Sequence, residues 1–276
     1  MKKILIGALL LTGCALPVMA CTGISATAKD GGYVQARTIE WGDSYLPSQY
    51  VVIPCGHEMI SYTPKGMNGA KFRARYGVVG LSIVLKDFVV EGLNEAGLSA
   101  GLFYFPHYGN YPVYDAKQNT RTVADLQLVA WMLSQFSTIE EIKAAMQDIR
   151  VVSVDTTGAS STVHWRIGDA NGRQVVLEFV DGVPCFYENE IGVLTNSPGF
   201  PWQMTNLNNY VNLYPGGAEA HQLGGVTIFP FGAGSGFQGI PGDVTPPSRF
   251  VRAAFYKATA PQSVSYTHLT LPTNSL

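Results

Sequence analysis

Cys21 is the residue of this sequence whose type and position best suit covalent chemistry. It directly follows Val18-Met19-Ala20, and small residues at 18 and 20 are typical of a signal peptidase cleavage site. Cleavage after Ala20 would make Cys21 the first residue, so a thiol and a free α-amine would belong to one residue. The pattern predicts a cysteine nucleophile with its own base, and residues 1–20 as a removable signal peptide.

The segment before Cys21 has the organisation of an export signal. Two lysines precede an apolar run, Ile4 to Leu16, which is too short to span a bilayer. A rival interpretation is a lipobox, Leu11-Thr12-Gly13-Cys14, in which a lipid on Cys14 would leave Cys21 internal. The short apolar run before Cys14 favours ordinary cleavage. We therefore expect an exported protein, periplasmic or secreted, with a lipid anchor at Cys14 as the alternative.

Four further polar residues are candidates for the same site. Arg37 and Glu40 lie on the strand expected to return beside Cys21, from which they could reach its thiol and amine; taken alone, they could equally be a solvated strand end. Asn196 ends a strand before a helix, where either an oxyanion donor or an ordinary turn asparagine could lie. Arg249 lies in the first turns of a helix, an unfavourable place for a cation unless it faces an anion.

Two other motifs fail on their context. Gly97-Leu98-Ser99-Ala100-Gly101 has the letters of a nucleophile elbow, but it lies within an alternating apolar run typical of a strand. Gly234-Ser235-Gly236-Phe237-Gln238-Gly239 has the letters of a dinucleotide fingerprint, but no helix opens after it. We interpret the first as a strand and the second as a loop. A serine hydrolase that uses Ser99 is therefore disfavoured.

Composition excludes several classes of function. The 276 residues carry a net charge of −2 and only 14% charged residues, so no basic surface for nucleic acid is expected. No segment after the leader is long and apolar enough to span a membrane. The five histidines have no ligand spacing and no CxxC is present, which argues against a metal site. Cys55 and Cys185 could pair after export, although two separate thiols are favoured.

The expected elements begin with a hairpin, a strand over Thr22 to Ala28 that returns over Tyr33 to Trp41. Further strands and helices follow from alternation, turn residues and caps. The strands are expected at 50–53, 76–81, 98–105, 162–167, 174–180, 183–187 and 192–196. The helices are expected from 122 or 125 to 136, from a capping box at Ser137-x-x-Glu140 to about 149, at 201–213, and at 245–259.

This order of elements predicts an α+β protein in which helices cover both outer faces of two sheets. No linker or internal repeat divides the chain, so a single domain over residues 21–263 is expected. Residues 264–276 resemble the translation of a sequencing adapter, with a genuine polar tail as the alternative. We therefore expect the C-terminal part of the domain to be missing.

The chain resembles the choloylglycine hydrolase family, which includes bile salt hydrolases and penicillin V acylases. The stretches that carry the resemblance occur in the order of the family and span the chain from Cys21 to about Lys257. They are Cys21-Thr22-Gly23, Ala36-Arg37-Thr38, Gly92-Leu93-Asn94-Glu95-Ala96-Gly97-Leu98, Gly192-Val193-Leu194-Thr195-Asn196-Ser197-Pro198, Gly239-Ile240-Pro241-Gly242-Asp243 and Ser248-Arg249-Phe250. The resemblance implies a four-layer αββα fold of the N-terminal nucleophile hydrolases.

The resemblance also implies roles for the candidate residues. Cys21 corresponds to the nucleophile, Arg37 to the cation beside its thiolate, Asn196 to an oxyanion-hole side chain and Arg249 to the active-site arginine. Glu40 stands where the family usually has an aspartate that holds the α-amine, which changes the geometry but not the charge. Tyr104 stands at a second oxyanion position, where penicillin V acylases carry tyrosine and bile salt hydrolases often asparagine. That residue weakly favours acylase substrates.

The implied activity is hydrolysis of linear amide C–N bonds without a metal or organic cofactor. Conjugated bile salts, the amides of glycine or taurine, are the first expected substrates, and penicillin V is the next. The loop from Leu213 to Phe237 resembles the extension through which family tetramers assemble, which implies a homotetramer. A non-enzymatic alternative is an exported lipoprotein or binding module in which Cys21 is structural or lipidated.

Overall fold

The computed structural model describes residues 19–27, 29, 31–41, 46–154 and 162–260. The apolar run of the leader, the lipobox and the tail from residue 264 lie outside the described residues. None of the helices in the described ranges is long and apolar enough to cross a membrane.

Strands contain more residues of the described chain than helices do. They are β1 (Met19–Thr27), β2 (Tyr33–Trp41), β3 (Ser48–Ile53), β4 (Glu58–Ile60), β5 (Lys71–Arg73), β6 (Val78–Ile83), β7 (Val89–Asn94), β8 (Ser99–Tyr104), β9 (Thr122–Ala124), β10 (Arg150–Val152), β11 (Val163–Gly168), β12 (Gln174–Val180), β13 (Val183–Glu188), β14 (Val193–Leu194), β15 (His221–Leu223) and β16 (Val226–Ile228). The α-helices are α1 (Leu128–Gln135), α2 (Ile139–Ala145), α3 (Phe200–Asn206) and α4 (Pro246–Thr259).

Two antiparallel sheets form the centre of the molecule. A seven-stranded sheet has the order β13-β12-β11-β8-β7-β6-β3, and a three-stranded sheet has the order β14-β1-β2. Helix α1 packs on β7 and β8, α4 packs on β1 and β14, and β1 faces β8 between the sheets. The order of layers is therefore helix, sheet, sheet, helix, which confirms the predicted α+β sandwich.

The core forms on both sides of the seven-stranded sheet. On the outer side, Leu128, Met132 and Leu133 of α1 are fully buried in the larger apolar cluster. On the side of the three-stranded sheet, a smaller cluster includes Cys21 and Phe103 and extends to Phe250 of α4. Cys21 is thus buried among apolar side chains, with 5% of its surface exposed.

The N-terminal hairpin follows the prediction closely. β1 and β2 pair without interruption from Met19 opposite Trp41 to Thr27 opposite Tyr33. Gly31 in the turn has φ of 85°, a backbone conformation that glycine adopts without steric cost. Because register alternates the two faces of a strand, Cys21, Gly23 and Arg37 share one face of this hairpin.

Several predicted boundaries differ from the structure. The chain expected to start a helix at Thr122 or Asp125 first forms β9, which pairs in parallel with β10; a 3₁₀ turn then begins at Asp125 and continues into α1 at Leu128. Ser137 was expected to cap α2, but Thr138 is the N-cap and accepts a hydrogen bond from the Glu141 backbone N–H. The predicted helix over 201–213 changes to a 3₁₀ helix after Asn206.

The structure confirms that Ser99 lies in a strand and that the glycine-rich segment 234–239 is a loop. Ser99 is the first residue of β8, and its hydroxyl donates to the Gly168 carbonyl at 3.1 Å. Residues 235–237 form one 3₁₀ turn, and within the described chain the next helix begins only at Pro246. Neither segment has the strand–turn–helix geometry that its motif would require.

Candidate active site

The pairing of β1 with β14 brings Asn196 beside Cys21. Gly23 lies opposite Leu194 in an antiparallel register, and extending that register by two residues places Asn196 opposite Cys21. The Cys21 backbone N–H donates to Asn196 Oδ1 at 2.9 Å. Both residues are buried, with 5% and 3% of their surface exposed. Strand register, rather than a flexible loop, therefore fixes the contact.

Arg249 completes this contact from the first turns of α4. Its Nη1 donates to the Cys21 carbonyl and to Thr22 Oγ1, and its Nη2 donates to Asn196 Oδ1 at 2.8 Å. Burial lowers the pKa of the guanidinium, while the charges of Glu40 and Cys21 act in the opposite direction. The sequence placed Arg249 opposite an anion, but the hydrogen bonds described here go to neutral oxygens.

The start of α4 is organised by Asp243. Its carboxylate accepts hydrogen bonds from the Ser248 hydroxyl, at 2.6 Å, and from the Thr245 backbone N–H and hydroxyl. The bonds from Ser248 and Thr245 lower the pKa of Asp243 to about 2. A carboxylate held at the beginning of a helix also interacts favourably with the positive end of the helix dipole. Asp243 therefore fixes the turn that presents Arg249 to Cys21.

Asn196 also connects Cys21 to the seven-stranded sheet. Its Nδ2 donates to the Tyr104 carbonyl at 2.7 Å, at the end of β8. Because Oδ1 accepts from Cys21, the direction of this second bond fixes the orientation of the amide. The contact that the structure shows at Tyr104 is thus a backbone acceptor that holds Asn196; the predicted role of Tyr104 as a second oxyanion group stays a prediction.

Arg37 lies on the same hairpin face as Cys21 and extends toward the seven-stranded sheet. Its Nη1 donates to the Leu102 carbonyl and lies 3.5 Å from Glu91 Oε2. The guanidinium lies 4.1 Å from the centroid of the Phe103 ring, a cation–π contact. Arg37 is therefore fixed between the two sheets by contacts with β7 and β8.

Glu91 and Arg166 also belong to this environment, although neither lies in a motif that indicates a catalytic site. Arg166 is completely buried, and its Nη2 lies 2.9 Å from Glu91 Oε1, so one carboxylate accompanies two guanidinium groups. Full burial of arginine is rare unless it is paired. The sequence feature that could have indicated a buried ion pair is the arginine between Trp165 and Ile167 in an otherwise apolar strand.

Glu40 lies on the opposite face of the hairpin from the Cys21 side chain. It pairs in register with Ala20 and is exposed. Burial lowers the pKa of Arg249, and the negative charge of Glu40 partly opposes that effect. A role at the Cys21 amine stays a prediction.

The other two cysteines in the described ranges do not pair with each other. Cys55 is exposed and Cys185 is half-buried, and both are free thiols. This agrees with the favoured interpretation of two unpaired cysteines.

A cavity of about 780 Å³ lies beside Arg37, between β2 and the β3, β6 and β7 strands. Its wall is mostly apolar and includes Ile39 and Leu81, with Arg37 and Glu91 as charged groups. The residues that form its wall do not include Cys21 or Asn196. The cavity therefore adjoins the candidate site through Arg37.

The fold and the site together define a class of protein. Cys21 lies in the three-stranded sheet, which faces the seven-stranded sheet, and helices cover both outer faces. Asn196 and Arg249 form hydrogen bonds with the backbone of Cys21. This is the four-layer architecture of the N-terminal nucleophile hydrolases.

Comparison with known proteins identifies the family. A sequence profile described as "Linear amide C-N hydrolases, choloylglycine hydrolase family" matches residues 21–268. The chain belongs to this family of amide-cleaving enzymes.

Individual relatives agree with the profile. A bile salt hydrolase/transferase from Clostridium perfringens is 32% identical over 241 residues, which are 86% of this chain and 71% of the relative. One from Bifidobacterium longum is 33% identical over 251 residues, 88% of this chain and 75% of the relative.

Solved structures show the same fold. A crystal structure of a mutant conjugated bile acid hydrolase from Clostridium perfringens has a TM-score of 0.76 and 28% identity, and covers 93% of this chain and 81% of its own. Penicillin V acylase from Agrobacterium tumefaciens has a TM-score of 0.69 and 25% identity, and covers 88% and 67%.

Proposed function

We propose that the mature protein begins at Cys21 after export and hydrolyses linear amides with this cysteine as the nucleophile. The observation that carries the proposal is the convergence of Asn196 and Arg249 on the backbone of Cys21. A structural cysteine in a strand needs no such arrangement around its own N–H and carbonyl. The position of Cys21 directly after a cleavage motif supports the same proposal.

The reaction begins with transfer of the thiol proton to the α-amine. An unperturbed α-amino group has a pKa of about 7.7–8.0, so a fraction is neutral near pH 7 and can act as the base. Asn196 Oδ1, which accepts from the nitrogen of Cys21 in the intact chain, would hold the freed amine in the same place. The thiolate then attacks the amide carbonyl.

The next step needs stabilisation of a tetrahedral oxyanion. A single well-placed donor contributes about 3 kcal/mol in other acyl-transfer enzymes. In our proposal the Nδ2 group of Asn196 and a donor near Tyr104 supply this stabilisation. The amine product leaves with the proton, a thioester remains on Cys21, and water hydrolyses it to release the acid.

We propose conjugated bile salts as the first substrate class and penicillin V as the second. The more similar sequence relatives carry bile salt hydrolase names, at 32% and 33% identity, whereas a Pectobacterium atrosepticum penicillin V acylase is 24% identical over 239 residues. Tyr104, by its resemblance to the tyrosine of penicillin V acylases, weakly favours the acylase. Sequence identity covers most of the chain, whereas Tyr104 is a single residue, so we place bile salts before penicillin V.

The test is a paired assay on protein expressed with its leader and exported. Mass spectrometry of the mature product should give a chain that starts at Cys21. Release of glycine or taurine from conjugated bile salts, measured beside penicillin V hydrolysis, should disappear in Cys21→Ala. A lipidated or uncleaved protein that hydrolyses amides would exclude the amine as base, and full activity of Cys21→Ala would exclude the nucleophile.

We also propose that the protein assembles as a homotetramer through the segment 213–237. The hairpin of β15 and β16 exposes apolar side chains there, among them Leu223, Val226 and Phe229. Exposed apolar groups in one segment are typical of an interaction surface. Sedimentation of the mature protein should give four times the protomer mass, and a monomer would contradict the assembly without affecting the proposed chemistry.

A further inference from the structure

Strands β11 and β12 carry a buried ionisable pair that the proposed reaction does not use. His164 Nδ1 lies 3.0 Å from Glu178 Oε1, and the two side chains are 0% and 2% exposed. The imidazole stacks on the Phe105 ring at 4.3 Å with an interplanar angle of 7°. Stacking and burial leave the ring one orientation, and a buried pair of this kind calls for an explanation.

The other contacts of the pair lead to both ends of one short segment. His164 Nε2 lies 3.0 Å from the Thr195 carbonyl, and Glu178 Oε1 accepts from the Phe200 backbone N–H at 2.8 Å. Asn196 is the residue that directly follows Thr195. The pair therefore holds the chain on either side of the residue that contacts Cys21.

The direction of these bonds follows from chemistry. A carbonyl oxygen only accepts, so His164 Nε2 must carry a hydrogen. A second hydrogen must lie between His164 Nδ1 and Glu178 Oε1, because two bare acceptors would repel each other. Whichever partner holds that proton, the donation to Thr195 is preserved. The carboxyl group thus fixes the tautomer of the imidazole, as such partners often do.

We propose that His164 and Glu178 form a positioning pair that holds Asn196 against Cys21 for the amide hydrolysis proposed above, on which this inference rests. The pair anchors Thr195 before Asn196 and Phe200 after it. Within the segment, the Ser197 hydroxyl adds a bond to the Pro106 carbonyl at 2.6 Å. With its flanking backbone fixed, the Asn196 amide points both toward Cys21 and toward the Tyr104 carbonyl.

Two substitutions at Glu178 separate positioning from bulk stability. Glu178→Leu fills the space but leaves the Phe200 N–H without its acceptor and His164 without a partner. Glu178→Gln can keep one oxygen at the position of Oε1 to accept from Phe200, but His164 can then donate both to this oxygen and to Thr195 only as an imidazolium. We expect kcat to fall about 10-fold or more in Glu178→Leu with KM little changed, and to fall less in Glu178→Gln, which keeps the acceptor for the Phe200 N–H.

Gln127→Leu is the matched control. Gln127 is equally buried and accepts hydrogen bonds from the Ser61 hydroxyl and the Tyr62 backbone N–H, far in sequence from the segment 195–200. Its loss should lower the melting temperature without lowering kcat of the folded enzyme. Unchanged kcat in Glu178→Leu, or an equal loss in the control, would overturn the proposal.

A spectroscopic readout separates this inference from the proposed function. In NMR spectra of the mature protein, the Asn196 side-chain amide should shift in Glu178→Leu and remain unshifted in Gln127→Leu. If wild-type protein fails to hydrolyse any amide, the proposed function is rejected, but this shift still reports whether the pair positions Asn196. An Asn196 signal insensitive to Glu178→Leu would reject the positioning pair even in an active enzyme.

Discussion

At the scale of single residues, the site depends on how many oxygens one guanidinium can reach. Arg249 contacts the Cys21 carbonyl, Thr22 Oγ1 and Asn196 Oδ1 at the same time. The planar fork of arginine presents five N–H groups in fixed directions, whereas lysine offers one ammonium nitrogen on a flexible chain. Charge alone would therefore not reproduce this arrangement.

Arg249→Lys should lower kcat/KM about 10- to 100-fold, because at least one hydrogen bond from a charged donor is lost at the nucleophile. Steady-state kinetics on the preferred amide provide the measurement. Arg252→Lys, on the same helix, is the control, since Arg252 donates to the Pro241 and Asp243 carbonyls rather than to Cys21. Equal losses in both variants would mean that Arg249 acts only by holding α4.

The sequence predicted the residues at the centre of the site better than their contacts. Cys21, Asn196 and Arg249 were identified from position and resemblance, and the structure brings all three together. The contacts of Arg37 with β7 and β8 were not predictable, because they depend on how the two sheets face each other. Long-range packing of this kind leaves no local pattern.

At the scale of elements, one glycine provides the space for the ion pairs beside Arg37. Gly101 in β8 lies opposite Glu91 in β7, and a Cβ atom added at Gly101 would overlap the Glu91 carboxylate. That carboxylate accompanies both Arg37 and the fully buried Arg166. The two strands can therefore pair here, with Glu91 directed to its partners, only because position 101 lacks a side chain.

Gly101→Ala should lower the free energy of unfolding by about 3 kcal/mol, because it displaces the carboxylate and leaves Arg166 buried without its partner. Urea denaturation followed by tryptophan fluorescence provides the measurement. Gly77→Ala is the control, since the nearest atom that an added Cβ would meet there, Glu95 Oε2, is 3.5 Å away, an ordinary van der Waals contact. A stability of Gly101→Ala within about 0.5 kcal/mol of wild type would contradict the packing argument.

Elements were predictable where local signals decide, and less so where tertiary contacts do. The β1–β2 hairpin and β12 match the sequence prediction because alternation and glycine turns specify them locally. β7 was missed because Glu91 and Gly92 interrupt its apolar pattern, and both are required by neighbours rather than by the strand. Thr122 lies in β9 rather than in a helix because β9 pairs with β10, which follows much later in the chain.

At the scale of the whole molecule, stability should depend on pH through one buried carboxyl group. Asp125 is 2% exposed, and burial raises its pKa from 3.8 to about 7, against the opposing effect of the Leu126 and Val154 backbone N–H groups. Between pH 4 and pH 7 the folded protein therefore binds more protons than the unfolded chain. Under that condition the free energy of unfolding falls as pH rises.

The free energy of unfolding should begin to fall near pH 4 and stop falling above about pH 7, with a total decrease of at most about 4 kcal/mol. Exposed carboxylates such as Glu140 and Glu188, whose pKa values are lowered by hydrogen bonds from Arg173, act in the opposite direction and mainly below pH 4.5. A series of urea denaturations from pH 5 to pH 8 avoids the titration of these carboxylates, and a variant of Asp125 separates its contribution from that of histidines, which also titrate in this range.

Asp125→Asn provides the decisive comparison, because an amide of the same shape stays neutral throughout this range. We expect its free energy of unfolding to vary less between pH 5 and pH 8 than that of wild type, with the largest difference at the alkaline end. Asp148→Asn, at an exposed aspartate, should keep the wild-type slope. If Asp125→Asn and wild type show parallel pH profiles, the buried carboxyl is ionised in the folded protein, and the layer of the sandwich around it is more hydrated than its burial indicates.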